Sequence, residues 1–256
     1  MHCLEVWGDL ACFTRPEMKV ERFSYPVITP SAVRGIFDAI YWEGIRDKGR
    51  VRPYFYWQTR RIEVLKPPRY IALRRNEVKD KAPLGIITKR MQGDPDADPR
   101  VWADAGEDFF LKEGGKAGDR NKGRTQRQTM ALKEVHYRIY ADIVPHADFR
   151  GDIAKFNAMF ERRAKRGQCF QQPYFGCREF PAYFEWHDPA MLSGGPDNNV
   201  NLQLGWMLYD VFDISRASVP LTESEPLISV FQANVTGGVL EVPSFTSETV
   251  RKPSRN

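Results

Sequence analysis

The chain has 256 residues, of which 42% are hydrophobic and 28% charged, with a net charge of +5 and a pI near 9.0. That is the composition of a globular protein with an ample core, one large domain or two small ones, and it excludes disordered, collagen-like and disulfide-scaffold chains. No apolar run approaches the roughly 18 residues that span a bilayer and the start is unlike a signal peptide, so a cytoplasmic protein without membrane attachment is expected.

Residues 3–7 read as a strand broken at Gly8-Asp9, and residues 18–27 as a second extended segment. A helix follows: Thr29 is placed to cap it, Pro30 sits at its first position, and Val33, Ile36, Phe37, Ile40 and Tyr41 recur at helical spacing. Arg34 and Asp38, four apart, are expected to pair weakly on its exposed face. Residues 54–65 turn extended and aromatic. Residues 80–127 hold no sustained period and read as a long, mobile insertion. From 132 to 144 the chain alternates strictly, with Val135, Tyr137, Ile139, Ala141 and Ile143 on one face and Glu134, His136, Arg138, Tyr140 and Asp142 on the other. A second helix is predicted over about 152–166 with Gly167 as its stop, then a strand over about 178–186. The tail predicts strands at 204–211, 227–235 and 239–242, the last two joined by a turn at Thr236-Gly237-Gly238.

Strand, helix, strands, helix, strand is the split βαβ order of ferredoxin-like folds, the plan of RNA-recognition modules. The fold class expected is therefore α+β: a ferredoxin-like domain over 1–188 carrying the insertion, and a small antiparallel β domain over 189–256. Basic residues gather at Arg60-Arg61, 69–81, 112–127 and 162–166, while acidic ones concentrate in the last third, so the positive end is the expected RNA side. Cys3, Cys12, Cys169 and Cys177 form no C-x-x-C pair, and the four histidines (His2, His136, His146, His187) are equally scattered, so reduced thiols, no metal and no cofactor are expected.

Several strings carry a resemblance. They are Val6-Trp7-Gly8-Asp9 with Cys12-Phe13-Thr14-Arg15-Pro16-Glu17; Thr29-Pro30-Ser31-Ala32 leading to Ile40-Tyr41-Trp42; Arg74-Arg75-Asn76-Glu77; Leu132-Lys133-Glu134-Val135-His136-Tyr137; and Gly167-Gln168-Cys169-Phe170 through Gly176-Cys177-Arg178-Glu179-Phe180. In this order and spacing the chain resembles the subtype I-C (Dvulg) branch of the family-five Cas proteins, within the repeat-associated RAMP superfamily. The resemblance implies a metal-independent endoribonuclease that cuts precursor CRISPR RNA at the base of the repeat hairpin. It further implies that the protein stays on the 5′ tag of the guide RNA, beside the large and backbone subunits of the surveillance complex, and is a monomer when isolated.

Cleavage of this kind uses the neighbouring 2′-hydroxyl as nucleophile, leaving a 2′,3′-cyclic phosphate and a 5′-hydroxyl. The protein supplies a base, an acid and cations. The resemblance implies a tyrosine, a lysine and a histidine, which fall on Tyr41, Lys133 and His136. His136 has the side chain suited to proton transfer near neutral pH; an ordinary exposed strand histidine is the plainer reading. Tyr41 reads equally as core. Lys133 falls on the opposite strand face from His136 unless a bulge intervenes, with Arg138 and Lys122 as substitutes. Arg74, Arg75, Arg120, Lys122, Arg124, Arg127 and Arg138 are candidate phosphate contacts and Trp42 a candidate base-stacking surface, each equally explained as surface charge or packing. Two rival functions remain: a guide-RNA-binding subunit without catalysis, and a small-molecule enzyme, for which no Walker or dinucleotide motif is present.

Overall fold

The computed structural model describes residues 1–18, 20–78, 84–97, 124–220 and 226–253. It is a mixed α and β chain whose sheets are antiparallel wherever strand registers are defined. One compact unit comprises residues 1–71 and 130–256, and a second comprises residues 72–129.

The first unit is built on a sheet whose strands are β1 (His2–Ala11), β5 (Phe55–Val64), β7 (Arg124–Pro145), β8 (Tyr183–His187) and β12 (Val239–Glu241), in the order β12-β5-β7-β1-β8. β2 (Arg22–Phe23) and β6 (Tyr70–Val78) also pair with β7. A three-stranded sheet joins β3 (Gly44–Asp47), β4 (Arg50–Pro53) and β10 (Val219–Pro220), and a ribbon pairs β9 (Leu202–Asp210) with β11 (Ser229–Val235).

Helix α1 (Pro30–Ile40) forms where the sequence places it: the Thr29 hydroxyl accepts from the Ala32 N–H at 3.3 Å, Pro30 opens the first turn, and Val33, Ile36, Phe37 and Ile40 are buried. Helix α3 (Ile153–Ala164), after the 3-10 turn Ala147–Asp152, buries Phe156, Phe160 and Ala164. Both helices cover one face of the sheet, where Phe37 and Phe160 pack on Trp57 at 4.8 and 4.7 Å between ring centroids. Register dictates which side chains reach that face. Leu4, Val6, Trp57, Ile62, Tyr137 and Ile139 point to the helices, and Glu5, Trp7, Glu63, His136 and Arg138 to the opposite, open face.

The structure corrects several expectations. The strand expected over 132–144 runs from Arg124 to Pro145, and the extended segment expected over 18–27 shrinks to β2. The strand expected to start near 178 begins at Tyr183. Of the expected insertion, the described parts hold a short helix, α2 (Leu84–Met91), and the start of β7; residues 79–83 and 98–123 lie outside the described residues. The turn at Thr236-Gly237-Gly238 forms, but β12 pairs with β5 at the sheet edge. There Gly238 is held at φ +75, and a Cβ would come within 2.6 Å of the Asp197 carbonyl, so the turn tolerates only glycine.

Arg34 and Asp38 do not lie on an exposed face. β9 packs on α1, and Asp210 takes the Arg34 guanidinium through two bonds of 2.6 and 3.2 Å while Asp38 takes a third at 2.5 Å. Two carboxylates thus share one guanidinium, and burial pushes Asp38 up to about 6 despite Arg34. The folded state holds this proton more tightly than the unfolded chain, so stability falls as pH rises from about 4 to about 6 and the cost is complete above that. Urea titrations across this range are expected to show that slope in the native protein and not in Asp38→Asn. Asp210→Ala, which strips the buried guanidinium of its main partner, is expected to lower stability by about 3 kcal/mol.

Candidate active site on the open sheet face

Three strands bring charged side chains together on the face opposite α1 and α3. β7, at the centre, supplies His136 and Arg138; β1 supplies Glu5 and β5 supplies Glu63. Arg138 is directly opposite both glutamates in register and donates to Glu63 at 3.1 Å and to Glu5 at 3.3 Å. It also donates to the carbonyls of Ser193 and Gly194, each at 3.3 Å. Only 5% of the residue is exposed. Burial works against its charge, but Tyr140, Glu63 and Glu5 outweigh that and hold its pKa above the ordinary value. Burial, with Cys3 and Glu63 nearby, pushes the Tyr140 phenol well above its usual range.

Glu5 is therefore fixed through one oxygen, and its other oxygen meets Nε2 of His136 at 2.8 Å. The His136 ring is a quarter exposed and lies edge-on to Trp7 at 6.1 Å. Trp7 and Tyr183, 38% and 51% exposed, stack at 6.3 Å with 29° between their planes. From β8, His187 points to the same carboxylate, its Nε2 3.8 Å from Glu5 and 3.9 Å from Glu185. A carboxylate that accepts from one imidazole nitrogen fixes that ring's orientation and tautomer and leaves the other nitrogen to accept a proton.

The residues singled out in the sequence divide. His136 is on this face. Lys133 is half-buried three residues earlier on the same strand, its N–H bonded to the Arg69 carbonyl. Between them Glu134 has φ +52, a left-handed backbone, and the register with β1 continues unshifted. Tyr41 is not brought to His136. It ends α1, packs on Phe55 at 5.3 Å on the helix-covered side, and donates its hydroxyl to Glu43 at 2.5 Å. Burial first, and Glu43 next, hold that phenol well above its ordinary pKa. Arg138 is committed to protein partners, so it is an internal tie and not a phosphate grip. Trp42 is 45% exposed and lies against the backbone at Gly44.

Arg74 on β6 is exposed; Arg75 and Arg127 are half-buried. Arg120 and Lys122 lie outside the described residues, as does the Arg124 side chain. Glu5, Glu63, Trp7, Tyr183 and His187 escaped the sequence reading, because only strand pairing puts residues 5, 63, 136 and 187 side by side. Among the described residues no group of three or more His, Cys, Asp or Glu side chains is arranged to hold a metal ion, and no helix is long and apolar enough to cross a membrane.

Residues 2–243 match the family model Cas_Cas5d, described as CRISPR-associated protein (Cas_Cas5). A curated protein of Mannheimia succiniciproducens named CRISPR pre-crRNA endoribonuclease Cas5d is 39% identical over 254 residues, 97% of each chain. One of the same name from Thermus thermophilus is 38% identical over 253 residues, 94% of this chain and 90% of its own. A crystal structure described as a CRISPR-associated protein superposes with a TM-score of 0.57 at 19% identity, covering 98% of this chain and 95% of its own.

Removing Arg138 leaves Glu5 and Glu63 without their shared counter-charge in a largely buried site. Arg138→Ala is expected to cost about 3 kcal/mol in urea unfolding, whereas Arg74→Ala, an exposed strand residue, is expected to stay within about 0.5 kcal/mol of the native protein.

Proposed function

The chain belongs to the Cas5d family of CRISPR-associated proteins, and we propose from this that it is the endoribonuclease that cuts precursor CRISPR RNA. The reading is carried by His136, a partly exposed imidazole held by a carboxylate on the sheet face opposite the helices, in a chain 38–39% identical over nearly its full length to two proteins named for that activity.

The cut falls at the base of the repeat hairpin, and the 2′-hydroxyl of the nucleotide before the scissile bond is the nucleophile. His136, oriented by Glu5, takes the hydroxyl proton, and Lys133 faces the charge that grows on the phosphate oxygens. Tyr41 acts as a positioning residue, tying the end of α1 to Glu43 and Phe55. Arg74, Arg75, Arg120, Lys122, Arg124 and Arg127 hold phosphates, and Trp42 stacks on an unpaired base. The protein stays with the 5′ tag, beside the large and backbone subunits of the complex, and is a monomer when alone.

The core is read as ferredoxin-like. The order β5-β7-β1-β8, with α1 following β1 and α3 joining β7 to β8, supports this. Residues 189–256 are read as an appended antiparallel unit, supported by the separate β9–β11 ribbon.

The purified protein, given its own repeat hairpin in EDTA, is expected to cut once near the stem base. His136→Ala is expected to slow that cut about 10²-fold or more with affinity intact, Lys133→Ala to slow it less, and Tyr41→Phe to change it less than about threefold. Binding without any cut by the native protein would instead leave a guide-RNA scaffold subunit.

A further inference from the structure

His187 has no place in the assignments above, and its surroundings are unusual for a surface histidine. Its Nε2 is shielded from solvent, makes no hydrogen bond among the described residues, and is aimed at Glu5 and Glu185 from 3.8 and 3.9 Å. The side chain as a whole is 33% exposed. The strand order makes the placement specific. β1 lies between β7 and β8, so the two histidines approach Glu5 from opposite sides, His136 across one strand boundary and His187 across the other. Two imidazoles thus flank one carboxylate on the sheet face opposite α1 and α3.

In-line attack on a phosphodiester demands two proton carriers on opposite sides of phosphorus, because the attacking and leaving oxygens are collinear with it. We propose that His187 is the general acid of the cleavage and His136 the general base, with Glu5 the carboxylate that sets the His136 ring and lies beside that of His187; this rests on the endoribonuclease reading. The 2′-hydroxyl gives its proton to His136 as the O2′–P bond forms. The P–O5′ bond breaks, and the departing oxygen takes a proton from His187. One proton enters the protein and one leaves, so the products are a 2′,3′-cyclic phosphate and a 5′-hydroxyl. Exchange with water then returns each imidazole to its starting state. His136 has the short bond to Glu5 that leaves its second nitrogen free to accept. His187 has two carboxylates beside its ring as counter-charge for the proton it delivers.

A general acid is dispensable when the leaving group needs no proton, and a repeat RNA with sulfur in place of the scissile 5′-oxygen tests this. On ordinary RNA, His187→Ala and His187→Gln are expected to cut about 10²-fold more slowly than the native protein, with affinity and thermal melting unchanged. On the sulfur-substituted RNA both variants are expected to recover to within about threefold of native, because a thiolate departs unaided, whereas His136→Ala stays slow on both substrates. Native rates for the His187 variants on ordinary RNA, or an equal deficit on both substrates, would overturn the assignment while leaving the endoribonuclease reading intact. A native protein that cuts neither RNA would remove that reading and this one with it.

Discussion

The guanidinium of Arg138, buried between Glu5 and Glu63, is the interaction on which the open face depends. It links three adjacent strands through side chains as well as through their backbone ladders, and it reaches the carbonyls at Ser193 and Gly194, fixing the segment that follows β8. A buried arginine with carboxylates on both sides adds little net stability over a well-packed apolar trio, because desolvation of the charges cancels most of the attraction. What it contributes is position. A Glu5 carboxylate free to rotate would hold His136 in no particular orientation, and a ring that wanders by an ångström loses most of the advantage of being in the site.

That arrangement divides the labour of the protein. Glu5, Glu63 and Glu185 outnumber the one guanidinium among them, Arg138, so this surface suits proton transfer better than electrostatic capture of a polyanion. The phosphate contacts proposed above are other residues; of them Arg74, Arg75 and Arg127 are described, and Arg74 is exposed on β6. Trp7 and Tyr183, stacked and half-exposed beside His136, give the same face an apolar margin on which an unpaired base can lie.

Much of this was legible in the sequence where local rules dominate. The Thr29-Pro30 start of α1, the core faces of both helices and the alternation that put His136 and Arg138 on one face all follow from capping and periodicity, and the ordered motifs pointed to the family. What stayed hidden depends on pairing between distant segments. Arg34 and Asp38 look like a surface pair until β9 brings Asp210 against them, and Arg138 looks like a phosphate contact until Glu5 and Glu63 arrive from two other strands. Tyr41 fits a catalytic motif by sequence, yet Phe55 and Glu43 claim its ring and hydroxyl on the helix-covered side. His187 carries no local signal at all; its proximity to Glu5 is a consequence of β1 lying between β7 and β8.

The proposed cleavage depends on the substrate's own 2′-hydroxyl acting as nucleophile, with His136 taking its proton. The most direct test replaces the single nucleotide before the scissile bond by its 2′-deoxy counterpart in the repeat hairpin. Cutting at that bond should cease while the native protein binds the modified hairpin as tightly as the unmodified one. Continued cutting of the deoxy-substituted bond, leaving a 3′-hydroxyl and a 5′-phosphate, would mean that water or another group attacks the phosphate and that the histidine-centred mechanism is wrong.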